Sequence, residues 1–90
     1  MTELEKCRIE IENIDKQFVE LFEKRMDVAA RVAAYKKEND LSIYDKERET
    51  QLIQRNVKEL KNEEYEILLR RFFLQVMELS RSLQLEIIKK

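Results

Sequence analysis

The sequence predicts an all-α protein of three helices in a single domain, residues 1–90. Three observations carry this expectation. No glycine and no proline occur in the 90 residues, whereas average usage of roughly 7% and 5% leads one to expect on the order of ten. Hairpins, bulges and phosphate-cradling loops need such residues for positive φ or close backbone approach. Apolar residues recur at intervals of three and four over most of the chain, the period of a helix face. The 18 Lys+Arg and 19 Asp+Glu fill the positions between them.

The first helix is predicted over about 4–38, its apolar face running through Leu4, Cys7, Ile11, Ile14, Phe18, Leu21, Arg25, Val28, Val32 and Tyr35. Asn39-Asp40-Leu41-Ser42 breaks the pattern. A second helix is predicted over about 44–60, where Ser42 and Asp45 stand at capping-box-like spacing ahead of Leu52, Ile53, Val57 and Leu60. Lys61-Asn62 is the next break, with Asn62 as N-cap. The third helix is predicted over about 63–88, through Tyr65, Leu69, Phe72, Val76, Leu79 and Leu83. At 1.5 Å per residue the first helix would be about 50 Å long, whereas a compact domain of this size is about 30 Å across. Such a helix overhangs its own monomer, so the expected assembly is an intertwined helical homodimer.

Composition then narrows the chemistry. Without histidine there is no Ser-His-Asp or Cys-His pair, and one cysteine makes neither an internal disulfide nor a Cys-rich zinc site. No metal and no cofactor are expected. A net charge of -1 with both signs interspersed offers no basic stripe for nucleic acid. Apolar runs are too short to cross a membrane, and Met1-Thr2-Glu3-Leu4-Glu5-Lys6 lacks the apolar core of a signal peptide. With a single thiol, the expected compartment is the cytoplasm.

Polar residues on apolar faces are the candidate site. Arg25 occupies a seam position between Leu21 and Val28, where a guanidinium is costly to desolvate unless it meets an anion. Snorkelling or pairing with a glutamate is the plain alternative. Lys36 follows three turns later at nearly the same azimuth, so both cations can line one cavity. On the third helix, Phe73, Met77, Ser80, Gln84 and Ile88 form one stripe whose interior members Ser80 and Gln84 are neutral hydrogen-bonding groups. They suit either a facing helix or a polar pocket. Lys46, Glu47 and Arg48 open the second helix and read equally as surface charges. Arg8 lies about 25 Å from Arg25 along a straight helix, so the two can share a small-molecule site only across a dimer.

These residues, taken in order, resemble the all-helical class of chorismate mutases. The likeness rests on Arg8 within Cys7-Arg8-Ile9-Glu10-Ile11, Asp15, Arg25, Lys36, the segment Ile43-Tyr44-Asp45-Lys46-Glu47-Arg48-Glu49, and Ser80 and Gln84. It covers nearly the whole chain. The resemblance implies conversion of chorismate to prephenate by a pericyclic Claisen rearrangement, in aromatic amino acid biosynthesis. A C–O ether bond breaks as a C–C bond forms, with no nucleophile, metal or obligatory proton transfer. The substrate is a dicarboxylate, and negative charge grows on its ether oxygen in the transition state.

By the same resemblance, Arg25 and Arg8 of the second subunit would bind carboxylates, with Lys46 assisting and Ser80 in contact. Lys36 and Gln84 would donate to the ether oxygen, and Glu47 would accept from the ring hydroxyl. Two departures stand out. Lys46 occupies the place where well-known members carry an arginine, and a lysine makes no bidentate fork. Ile43 replaces an acidic loop residue, so any contact there falls to backbone. Two alternatives remain open: an isochorismate pyruvate lyase-like enzyme, and a noncatalytic helical dimerisation or regulatory module.

Overall fold

A computed structural model describes all 90 residues, Met1–Lys90. Three α-helices follow one another: α1, Glu3–Glu38; α2, Lys46–Lys58; and α3, Glu66–Lys89. A 3₁₀ turn, Glu63–Tyr65, leads into α3. No strand forms.

The starts of α1, α2 and the 3₁₀ turn are each marked by a side chain that accepts an otherwise unpaired N–H, whereas α3 continues from the turn without a side-chain cap of its own. Thr2 Oγ1 accepts from Glu5 N at 3.1 Å before α1, and Asp45 Oδ1 accepts from Arg48 N at 3.0 Å before α2. Asn62 Oδ1 accepts from Glu64 N at 3.0 Å before the 3₁₀ turn. The second helix thus begins at Lys46, two residues beyond its expected start. Asp45 alone caps it, and Ser42 instead donates to the Tyr44 carbonyl.

The end of α1 shows how a chain without glycine turns. Asp40 takes a left-handed conformation, φ 55°, while Leu41 N donates to Lys36 O at 2.8 Å and Asp40 N to Lys37 O at 3.4 Å. This is the Schellman pattern, with aspartate where glycine is usual, one of the few residues whose short polar side chain tolerates αL. Asn39 Nδ2 donates to Tyr35 O at 2.9 Å and closes the turn.

α3 packs against both other helices, while α1 and α2 face one another without packing directly. α1 and α3 run in the same direction: the Phe18 and Phe72 rings lie 6.1 Å apart, and further along both helices Lys36 and Gln84 line one cavity. α2 runs back between these two places. The small Ala29 and Ala33 are buried on α1, with Ile53 on α2 and Val76 and Met77 on α3. Only Ser80 and Gln84 join them among buried residues.

The molecule measures 56 × 27 × 15 Å, with a radius of gyration of 16.4 Å. A compact chain of this length would have about 12 Å. The overhang foreseen from helix length is therefore present. Along the predicted α1 seam, Leu4, Ile11, Ile14, Phe18 and Leu21 are all exposed. The more apolar line of the third helical segment also faces out, at Tyr65 in the 3₁₀ turn and at Phe72 and Leu79 on α3, and the stripe through Met77, Ser80 and Gln84 faces in.

Candidate active site

Between the three helices lies a cavity of about 200 Å³. Its wall repeats one helical spacing on each element. α1 contributes Arg25, Ala29, Val32 and Lys36. α2 and its cap contribute Asp45, Arg48, Glu49 and Leu52, and α3 contributes Met77, Ser80, Arg81 and Gln84. Residues three, four and seven apart share a helix face, so each set is one stripe turned inward. Ile43, from the segment joining α1 and α2, closes the wall.

Arg25, Lys36, Ser80 and Gln84, singled out in the sequence, thus come together in one cavity. Lys46 and Glu47 do not line it: both are exposed. At 100° per residue they point roughly 110° and 150° away from the face centred on Asp45, Arg48, Glu49 and Leu52. The cavity takes its charged pair from Arg48 and Glu49 instead, and Arg48 supplies the forked guanidinium that Lys46 lacks. The signal was present, because stepping back three, four and seven residues from the apolar Leu52 gives Glu49, Arg48 and Asp45. Arg81 was missed altogether, one residue beyond Ser80. Arg8 is exposed on α1 and lies outside this chain's cavity.

Local contacts fix several of these groups. Lys36 Nζ donates to the Ile43 carbonyl at 2.9 Å, so the backbone at Ile43 orients a cavity cation. Gln84 Nε2 donates to Ser80 Oγ at 3.2 Å, one turn back, and Gln84 Oε1 is buried without a partner. A buried amide oxygen left unpaired costs about 1–3 kcal/mol. The second amide hydrogen of Gln84 is also uncommitted. Asp45 is held by its role as helix cap.

The strongest polar contact crosses from α3 to α2. Arg81 Nη1 donates to both carboxylate oxygens of Glu49, and the guanidinium carbon lies 4.9 Å from the centre of the Tyr44 ring. The Glu49 hydrogen bond is the main cause that holds Arg81 above the ordinary arginine range, against a smaller opposing effect of desolvation; the charges of Glu49, Tyr44 and Glu78 add to it. A raised pKa stabilises the fold below that range and is lost only above it, so Arg81 stays charged throughout pH 5–9.

Charge is therefore concentrated here. Arg25, Lys36, Arg48 and Arg81 face Asp45 and Glu49, leaving two positive charges unmatched in a chain whose net charge is -1. The four cations are half-buried or exposed, and their surplus charge gives the cavity a positive potential that a dianion would match. Its apolar members Ala29, Val32, Leu52 and Met77 suit a compact carbon skeleton.

No helix is long and apolar enough to cross a membrane. Comparison with curated proteins and with solved structures returns no match. A family model does match: chorismate mutase type II, over residues 7–85.

Proposed function

The chain belongs to the chorismate mutase type II family, and from that premise we propose that it rearranges chorismate to prephenate, serving the synthesis of phenylalanine and tyrosine. One observation carries the reading to this chain's own residues: a cavity with two unmatched positive charges and fixed N–H donors, lined by all three helices. The reaction moves electrons within one molecule. The ether C–O bond breaks while the enolpyruvyl terminus bonds to the ring, so the protein needs no acid, base or nucleophile.

Two contributions lower the barrier. The first is orientation. Arg25 and Arg48 bind the two carboxylates and fold the enolpyruvyl arm over the ring, with Ser80 near one of them. The second is electrostatic: Lys36, oriented by the Ile43 carbonyl, and Gln84, through its uncommitted amide hydrogen, donate to the ether oxygen as negative charge grows there. Glu49, the wall carboxylate not committed to capping a helix, accepts from the ring hydroxyl, the task that the resemblance gave to Glu47. Lys46 and Glu47 serve as solvent-facing charges.

The active species is an intertwined homodimer. Twenty-one large hydrophobic residues are exposed in the single chain while five hydrophobic residues are buried, an imbalance that a second copy corrects. Arg8 of that copy then reaches the cavity and adds a further carboxylate ligand.

Purified protein incubated with chorismate tests the reading, with loss of ultraviolet absorbance and identification of the product. Prephenate formation is expected. Release of pyruvate would assign a lyase instead, and no turnover by an intact dimer would leave a noncatalytic module.

A further inference from the structure

The rearrangement as described leaves one cavity side chain without a task. Arg81 spends Nη1 on both oxygens of Glu49 and lays its guanidinium against the Tyr44 ring. We propose that Arg81 is a positioning residue: it clamps the Glu49 carboxylate to the α3 side of the cavity, leaving it aimed at the substrate hydroxyl and away from the carboxylate-binding cations. The proposal rests on the functional reading above.

Three features support the clamp. The first is connectivity, because the contact joins residues 32 apart and ties the α1–α2 connection, α2 and α3 at a single guanidinium. The second is shelter. The Arg81 and Glu49 side chains retain 27% and 19% exposure, against 43% and 45% for the Arg70–Glu66 pair within α3. Screening by water and salt weakens the latter far more.

The third feature is what Glu49 would do unclamped. A glutamate has several rotatable bonds, and Arg25, Lys36 and Arg48 all line the same small cavity. A free carboxylate would turn toward one of them and neutralise a cation needed for the dianion. Loss of Arg81 would also halve the surplus positive charge, from two to one. Lysine cannot replace this geometry in full, since an ammonium lacks the planar surface that rests on Tyr44.

The test compares wild type with Arg81→Met, Arg81→Lys, Glu49→Gln and the Arg81→Met/Glu49→Gln double variant, in chorismate kinetics and in thermal melting without substrate. Arg81→Met should raise KM more than it lowers kcat, with kcat/KM down about 10- to 100-fold. Arg81→Lys should recover part of the loss. The double variant should be no worse than Glu49→Gln alone in kcat/KM, and its melting temperature should fall by less than the sum of the two single drops.

Multiplied losses in kcat/KM would overturn the proposal, because Arg81 would then be binding substrate directly. Fully additive melting shifts would overturn it too, because the pair would not be formed. If wild type fails to turn over chorismate while the melting shifts remain non-additive, the enzymatic reading falls and the clamp on Glu49 stands.

Discussion

The two halves of α1 obey the same helical period, and the apolar seam stays exposed in both through Val28, Val32 and Tyr35, but only the second half also buries a face of its own against the rest of the chain. In the first half, Leu4, Ile11, Ile14, Phe18 and Leu21 lie on one face and are 51–61% exposed. In the second half, Ala29 and Ala33 are 6% and 0% exposed, and the polar Arg25 and Lys36 turn into the cavity. Apart from Phe18, which meets the Phe72 ring, this apolar face has little of its own chain against it, and it is the surface that the proposed second copy would cover. A cationic face with helices packed around it marks where a small anion belongs. The small alanines make the second arrangement possible, since they let α3 approach closely and leave room for a cavity rather than filling it.

The largest effect should come from the first half. Leu21→Asp and Phe18→Asp place charges on the exposed seam, and both should abolish assembly and with it cooperative melting. Wild-type melting temperature should rise with protein concentration, as for a fold that depends on association. Analytical ultracentrifugation and melting over a concentration series check both. A soluble, well-folded Leu21→Asp monomer would show that the two halves do not differ in this way.

The second half should respond in turnover rather than in folding. Lys36→Ala should lower kcat about 10²–10³-fold, as for other removed oxyanion donors, with the melting temperature close to wild type. Equal losses in stability and activity would make Lys36 a structural tie to the Ile43 carbonyl. The smallest effect should be at the start of α2, where Lys46→Ala and Glu47→Gln are expected to change kcat/KM by less than about twofold, since exposed charges off the cavity face contribute little. A large loss in either would return them to the site.

Much of this was legible in the sequence because helices announce themselves by period. The three helices, both breaks and the overhang followed from spacing and from helix rise. Arg25 and Lys36 stood out because a cation on an apolar seam demands a partner, and Ser80 and Gln84 because they interrupt an apolar stripe. The start of α2 was harder to read. Asp45-Lys46-Glu47-Arg48-Glu49 is charged throughout, so nothing within the segment distinguishes its faces, and only the register of Leu52 one turn on separates Arg48 and Glu49 from Lys46 and Glu47. Arg81 escaped because its partner is 32 residues away. A charge that gains its meaning from a tertiary contact has no local signature. The left-handed Asp40 was hidden for a different reason, since aspartate tolerates positive φ but, unlike glycine, does not single out the position, and Asn39 beside it tolerates it as well.

The contrast between the halves of α1 converges on a single mixture. Arg8 belongs to the exposed half and Arg25 to the cavity half, so each single variant, Arg8→Ala or Arg25→Ala, should be nearly inactive on chorismate. Unfolded together and refolded as a mixture, they form heterodimers in which one cavity carries both substitutions and the other carries neither. With random pairing, about a quarter of all cavities are intact, and about a quarter of wild-type activity should return. Activity that stays at the level of the single variants, with heterodimers shown to be present, would contradict the account.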